Sequence, residues 1–365
     1  MTFDFCVVNA WEKRKFGELY SKTSEKNDGS FGPDKIISVA TMSWKTNVRI
    51  SNEGYLATYN VLRKGDIAFE GNRSKKFSFG RFVENDIGDG IVSHVFVVFR
   101  PKVPPVISYW KYFIHNEFVM RNILRKSTIK ATMMTNLSSH DFLRQTLCTP
   151  SFKEQENIGN FLERLDSLIA ATQDKLDSIE KIKKALLQHL FDQSMRFKGY
   201  SDPWEKRCLK EILSVNSGRD YKHLLPGKVP VYGTGGYMLS VNEALSHSDA
   251  IGIGRKGTID RPFFLKAPFW TVDTLFFLTV KKEMVLSFVF PLLQTIRWKQ
   301  LDESTGVPSL SKKTIESIMV HVPQKEEQQI IGNTFILIDN LIAATQSKLS
   351  SLETLKKALL QGLFI

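Results

Sequence analysis

The chain has 365 residues and carries 50 lysines and arginines against 38 acids, a net charge of +12. That length supports two to three domains with ample cores. The charge favours an acidic partner, either nucleic acid or a membrane surface, unless the basicity is unspecialised.

The first residues, MTFDFCVVNAW, carry an acid at Asp4 and no basic leader, so no signal peptide is expected. No apolar run reaches the length of a membrane span; the best, Val285 to Leu293, contains Ser287 and Pro291. Cys6, Cys148 and Cys208 are odd in number and far apart, which fits a reducing cytoplasm and excludes a disulfide framework. The seven histidines all lie more than 20 residues apart, leaving no local zinc motif.

Trp11 opens a repeat: WEKRKFGELY (11–20) returns as WEKRCLKEIL (204–213). From about Trp11 to Pro150 the pattern is strand-rich. Val61 to Glu70 reads as strand, Lys-Gly turn, strand, and Ile91 to Phe99 as one apolar strand. Tyr109 to Leu124 has helical spacing with aromatics that pack inside the domain. Between these, Asn72, Arg73, Lys75, Lys76 and Arg81 interleave with Phe77 and Phe79. Such a stretch can hold phosphates and reach base edges, or it is a solvated loop over two buried phenylalanines.

Next comes LIAATQDKLDSIEKIKKALLQHLF (168–191), which returns as LIAATQSKLSSLETLKKALLQGLF (341–364) with 18 of 24 positions identical. The match extends upstream: Pro150, Glu154, Gln155, Ile158, Gly159, Asn160 and Asp166 recur as Pro323, Glu327, Gln328, Ile331, Gly332, Asn333 and Asp339. Each copy predicts one long helix. Ile158, Leu162, Leu165, Ile169, Leu176, Ile179, Ile182, Leu186 and Leu190 form an apolar stripe in the first. Ile331, Phe335, Ile338, Ile342, Leu349, Leu352, Leu355, Leu359 and Leu363 form it in the second, with Thr172 and Thr345 as the polar members. Roughly 38 residues make a rod of about 57 Å, too long for an ordinary globular helix. Two near-identical stripes are best covered by each other. A first helix that carries the chain away and a second that returns leave one domain at each end.

Region two, from about Trp204 to Pro323, carries VPVYGTGGYM (229–238), DAIGIGRKGTID (249–260) and DESTGVPSLSK (302–312), short strands broken by glycine and proline. Gly252, Gly254 and Gly257 spell a dinucleotide-binding pattern, but Pro262 and an extended PFFL follow where a helix is required. These glycines either let backbone approach another surface, with Arg255 and Lys256 at the tip and Arg261 beyond, or only make tight turns. Arg297 and Lys299 flank Trp298 as a further basic point. No phosphate-binding loop, nucleophile elbow or H-E-x-x-H is present. Asp202–Pro203–Trp204 falls one proline short of the amino-methyltransferase motif. A methyltransferase or nuclease with built-in specificity, and a coiled-coil adaptor without DNA, are the rival classes.

Two variable regions, each opening near W-E-x-R and closed by P-x-x-x-E-Q-x-x-I before the repeated helix, resemble the specificity subunit of type I restriction–modification systems. VPVYGTGGYM, IGRKGTI, FWTVDTLFF and STGVPSLSKKTIESIMVHVPQKEEQ strengthen that resemblance, which covers nearly the whole chain. MRFKGYSDPWEKR (195–207) looks like a usual family start, so the first ten residues are either atypical or mis-started. The resemblance implies an α+β fold with a pseudo-twofold internal repeat: two strand-rich target recognition domains, 1–150 and 198–322, joined by two antiparallel coiled-coil helices, 151–197 and 323–365. It implies a non-catalytic, cytoplasmic subunit in which each domain reads half of a bipartite double-stranded DNA site. The helices would set the spacing and dock modification subunits, two of them, which carry the S-adenosylmethionine chemistry; restriction subunits join that core. No cofactor or metal is expected in this chain itself.

Overall fold

The computed structural model describes residues 11–46, 53–130 and 134–364; the expectations about the first ten residues and Cys6 lie outside them. The chain divides into two compact units, Met1–Ala171 with Leu349–Ile365, and Thr172–Lys348. These boundaries run through both long helices rather than around them.

In the first unit a four-stranded antiparallel sheet has the order Tyr20–Thr23, Val97–Pro101, Ile67–Glu70, Arg81–Glu84. Its buried side chains Phe69, Phe82 and Phe99 join Phe16 and Phe142 in an aromatic core, with ring centroids as close as 4.4 Å. In the second unit the order is Leu213–Ser217, Leu275–Val280, Ala250–Gly254, Phe263–Leu265, again all antiparallel. Here Leu213, Ile251, Ile253 and Leu278 fill the core. The two sheets share connectivity while their cores are packed with different chemistry.

Each W-E-x-R segment is a strand. Glu12–Lys15 pairs with Thr146–Thr149, and Glu205–Cys208 with Met319–Val322. Both partner strands lead straight into a long helix, Phe152–Phe191 (40 residues) and Lys325–Gly362 (38 residues). Gln155 and Gln328 each donate from Nε2 back to the carbonyl of Pro150 and Pro323, at 3.0 Å, fastening the helix starts. Trp11 and Trp204 donate to Glu154 and Glu327. The two recurring motifs therefore recur because they touch.

Three sequence expectations are corrected. Ile91 to Phe99 is not one strand: Gly90–Val92 pairs with Asn60–Leu62 and Val97–Pro101 joins the large sheet, with a turn closed by Phe96 N–H on the Ser93 carbonyl between them. Tyr109 to Leu124 is two helices, Ile107–Phe113 and Glu117–Ser127. Asn116 starts the second by accepting from Phe118 N–H, which a helix continuing through it would leave impossible. In the long helices Ile182 and Leu355, assigned to the stripe, are exposed at 55% and 46%. The stripe instead steps from Ile179 to Lys183 and from Leu352 to Lys356. Both lysines are partly buried, and their amines reach acids on the other helix: Lys183 to Asp339 in the second unit, Lys356 to Asp166 in the first. With that change the buried series alternates steps of three and four throughout, and Thr172 and Thr345 stay on it, buried.

The remaining stripe residues, Ile158, Leu162, Leu165, Ile169, Leu176, Ile179 and Leu186 in the first helix and Ile331, Phe335, Ile338, Ile342, Leu349, Leu352 and Leu359 in the second, are buried or half-buried. Where the helix Ile107–Phe113 meets the first long helix, Gly159 lies against the Ser108 and Tyr109 backbone. In the second unit Gly332 lies against Ser287 at the start of Leu286–Thr295 in the same way.

Candidate nucleic-acid interface

The stretch Asn72 to Arg81 connects two strands of the first sheet. Asn72, Arg73, Lys75 and Lys76 are exposed, Phe77 is buried and Phe79 half-buried. The loop is shaped from within: Ser74 and Phe77 exchange backbone and side-chain hydrogen bonds, and Gly80 has φ +81°. Lys76 stands over the Phe77 ring at 5.2 Å. Arg81 is different. It sits directly across the ladder from Glu70, which accepts from its Nε at 2.6 Å, and it donates to the Ala40 carbonyl at 2.9 Å. Asn72 also leans on Glu70, at 3.4 Å. Arg73, Lys75 and Lys76 thus carry the exposed positive charge of this loop, and Arg81 is bonded to Glu70 and Ala40 at its base.

Two other arginines of this unit are likewise occupied. Arg100 grips the buried carboxylate of Asp66 with Nε and a terminal nitrogen, at 3.1 and 2.9 Å, and reaches Glu25 at 2.6 Å. Arg63 shares Glu25. Burial raises the Asp66 pKa while Arg100 opposes that rise; the hydrogen bonds to Arg63 and Arg100 lower that of Glu25. This network holds strands together rather than facing a ligand. Sequence inspection missed it because its members lie as much as 75 positions apart.

In the second unit Gly254 ends a central strand, and no helix follows, in line with rejecting a dinucleotide site. A Cβ at Gly254 would lie 2.8 Å from the Thr258 carbonyl carbon, and Gly257 has φ +92°. Gly254 and Gly257 serve the loop's own close turn. Arg255 and Lys256 stand exposed on that turn. The turn is stitched to the 302–312 segment: Gly257 donates to the Pro308 carbonyl at 2.8 Å and Leu310 to the Arg255 carbonyl at 2.9 Å. The result is a shallow cleft of about 340 Å³ between Arg255, Lys256, Ser309, Ser311 and Lys312, with Glu303 on one wall. The Glu303 carboxyl is held below its usual range by the Thr314 and Ser311 hydroxyls. Lys312 and the two serines were not picked from sequence, although they lie in a segment that was. Lys299 is paired to Asp260 at 3.0 Å, which lowers the Asp260 pKa. Arg261 and Arg297 are exposed and make no ion pair among the described residues. The structure thus brings Arg255 and Lys256 together and shows neither Arg261 nor Arg297 on their cleft.

Among the described residues no group of three or more His, Cys, Asp or Glu could hold a metal ion, and no helix is long and apolar enough to cross a membrane.

Comparison with known proteins fits this arrangement. The family model for the type I restriction modification DNA specificity domain matches twice, over residues 9–181 and 201–354. A type I restriction enzyme specificity subunit, MjaVIII of Methanocaldococcus jannaschii, is 21% identical over 359 residues, covering 86% of this chain and 80% of that protein. The MjaX protein of the same organism, described as a putative specificity subunit, is 22% identical over 302 residues, 72% of this chain and 69% of its own. Among solved structures, the S subunit of a type I system from M. genitalium superposes with a TM-score of 0.66 at 19% identity, covering 100% of this chain and 98% of that one. The HsdS subunit of Thermoanaerobacter tengcongensis gives 0.55 at 16% identity, over 99% and 98%. With two copies of the domain spanning most of its length, the chain belongs to the type I restriction–modification DNA specificity family, and it is a DNA-recognition subunit without catalysis of its own.

Proposed function

We propose that the two units read the two halves of a bipartite double-stranded DNA site, and that the long helices act as the ruler between them. In this reading 1–150 and 198–322 are the target recognition domains, and 151–197 and 323–365 form the spacer. Arg73, Lys75 and Lys76 meet DNA in the first, Arg255, Lys256 and Lys312 in the second, with Arg261 and Arg297 at the margin. Phosphate contacts of this kind position a reader, and base contacts from the same loops specify the sequence.

The observation that carries the ruler is the pair of ion pairs Asp166–Lys356 and Lys183–Asp339. Asp339 and Lys356 are the repeat images of Asp166 and Lys183, so each pair is the other with the helices exchanged. A segment that meets its own copy through reciprocal contacts does so in the isologous, antiparallel manner of a twofold interface. Two readers on such a spacer match two half-sites at a fixed separation, by the logic that relates dimeric readers to their operators. Two modification subunits, one per repeat, are the partners this symmetry favours, and restriction subunits complete the complex.

The test is an exchange of residues 11–150 for the corresponding region of a relative, expressed with the cognate modification subunit. One half of the methylated motif should change and the other should stay. A change in both halves would refute independent reading.

A further inference from the structure

We propose that Tyr237 and Met238, near the tip of a two-stranded ribbon in the second unit, read the C5 methyl group of a thymine in the DNA half-site. This rests on the placement of DNA against Arg255 and Lys256, and it names a base contact which that placement leaves open.

The ribbon is formed by Pro226–Gly233 and Gly236–Val241, joined by Thr234 and Gly235. Gly236–Val241 is the edge strand of its three-stranded sheet. Val231 stands opposite Leu239 in the ladder and Tyr232 opposite Tyr237, which leaves Met238 as an extra residue. That is a β-bulge, and it changes what the ribbon shows to solvent. Val241 and Leu239 pack on a small core with Val231, Trp270 and Val272. A strand with its regular period of two would send Tyr237 inward after them. With the period broken at Met238, Tyr237 and Met238 are both exposed, at 63% and 48%. Gly233 leaves the room for this, since a Cβ there would lie 2.8 Å from Met238 Sδ. Turning two large apolar side chains outward gains nothing for the fold, because burying them would stabilise it.

The ribbon is tied to the basic turn. Val272 N–H donates to the Tyr232 carbonyl at 3.0 Å, and two residues on the Thr274 carbonyl accepts from Arg255 and Lys256 N–H, at 2.8 and 3.2 Å. The Thr234 hydroxyl lies 3.6 Å from where a Cβ would stand on Gly257. At Gly235 and Gly236 a Cβ would meet nothing within 4 Å, so the tip is clear of the rest of the chain. The major groove of B-DNA admits a two-stranded β-ribbon. With Arg255 and Lys256 on phosphates, this tip is the adjoining element that enters the groove.

What the tip offers there selects the base. The Tyr237 hydroxyl is engaged by Ser240 Oγ at 3.2 Å, and Met238 has only a thioether, a weak acceptor. The exposed pair therefore presents carbon and sulfur. Against the nitrogens and oxygens of a base edge such a surface desolvates polar groups without pairing them. The apolar group that a base pair exposes in the major groove is the thymine methyl.

The experiment uses the chain in complex with its modification subunit. The half-site is the part of the methylated motif that stays when residues 11–150 are exchanged, and duplexes carry deoxyuridine in place of each of its thymines in turn. Loss of one buried methyl should weaken binding about fourfold at one position. Tyr237→Ala combined with Met238→Ala should abolish the difference between thymine and deoxyuridine there. The slope against log salt should stay, because no phosphate contact is lost. The change in the DNA leaves the protein untouched, so misfolding cannot mimic its effect. Binding indifferent to every deoxyuridine would overturn the inference, as would a thymine preference that survives both alanines, or a half-site without an A·T pair. Arg255→Glu separates this from the placement beneath it. An unchanged salt slope in that variant would remove the DNA surface itself, whereas a flattened slope without any methyl effect would sink the thymine contact alone.

Discussion

Gly159 and Gly332 sit inside long helices, where glycine is normally a weakness: alanine is better there by about 1 kcal/mol. The structure reverses the expected sign. An alanine Cβ at 159 would lie 2.6 Å from the Ser108 carbonyl carbon and 2.7 Å from the Tyr109 nitrogen, both backbone atoms of the docked helix. At 332 it would lie 2.9 Å from both the carbonyl carbon and the Cβ of Ser287. Carbon atoms rest about 3.5–4.0 Å apart, so the docked helix must retreat by up to about 1 Å and lose contact along its length. Overpacking of this kind costs about 1–3 kcal/mol. After the propensity gain, Gly159→Ala and Gly332→Ala should each lose on the order of 1 kcal/mol, with Gly159→Ala the worse because two backbone atoms, at 2.6 and 2.7 Å, oppose it besides the Ser108 hydroxyl, against one backbone atom at 2.9 Å for Gly332. In units of this size each kcal/mol moves the melting temperature by about 2–4 °C. Gly362 is the control: nothing lies within 4 Å of its Cβ position, so Gly362→Ala should be neutral or mildly stabilising. Differential scanning calorimetry of the three variants decides. A rise in melting temperature for Gly159→Ala or Gly332→Ala would refute the close approach of helix on helix.

Glu84 is 2% exposed, has no hydrogen-bond partner at either oxygen among the described residues, and burial raises its pKa well above the ordinary carboxylate value of 4.5, with Asp86 adding to the rise and Lys111 opposing it. Its proton is therefore bound more tightly in the folded state, and stability falls as pH climbs from the unfolded pKa towards the folded one. Glu84→Gln should remove that loss, raising the melting temperature of the first unit at neutral and alkaline pH with no gain near pH 4. An equal gain at every pH would contradict a protonated Glu84. For the interface, charge reversal at Arg255 or Lys256 should weaken DNA binding and flatten the dependence on log salt by about one unit per lost phosphate contact. Reversal at Lys184, exposed on the first long helix, should do neither; equal effects in a salt titration would show the DNA surface to be misplaced.

The long helices were legible because an exact repeat and a three-four periodicity survive any context. The one error in them, Ile182 and Leu355 for Lys183 and Lys356, arose from scoring lysine as polar. Its aliphatic stem lies along the stripe while the amine reaches an acid on the facing helix. Inside the variable regions the period failed where one apolar run serves two sheets: the turn at Ser93 to Phe96 carries neither glycine nor proline. The break at Asn116 did have a signal, an asparagine cap followed by Glu117 in the first turn. In the candidate site, counting basic residues could not separate free from committed charge. Arg81 faces Glu70 across a ladder, and once a hairpin is suspected the two sit directly opposite. The pairing of Lys299 with Asp260 depends on tertiary structure and leaves no local trace. The shared sheet order of the two units was also invisible, because the same connectivity is filled mainly by phenylalanines in one and, apart from Phe276 and Phe277, by aliphatics in the other.

The ruler can be lengthened without disturbing either reader. The ion pairs Asp166–Lys356 and Lys183–Asp339 are separated by the same number of positions in both helices, so an insertion in one helix alone cannot keep both. Seven residues inserted after Ala171 and seven after Ala344 keep both, because a heptad returns the stripe to within about 20° of its phase. The added length is about 10.5 Å, or about three base pairs at about 3.4 Å each. The decisive measurement is the methylated motif, read genome-wide, in cells expressing this double insertion with the cognate modification subunit. The account predicts two unchanged half-sites with the gap wider by about three base pairs. Full methylation at the original gap would show that the helices do not set the spacing.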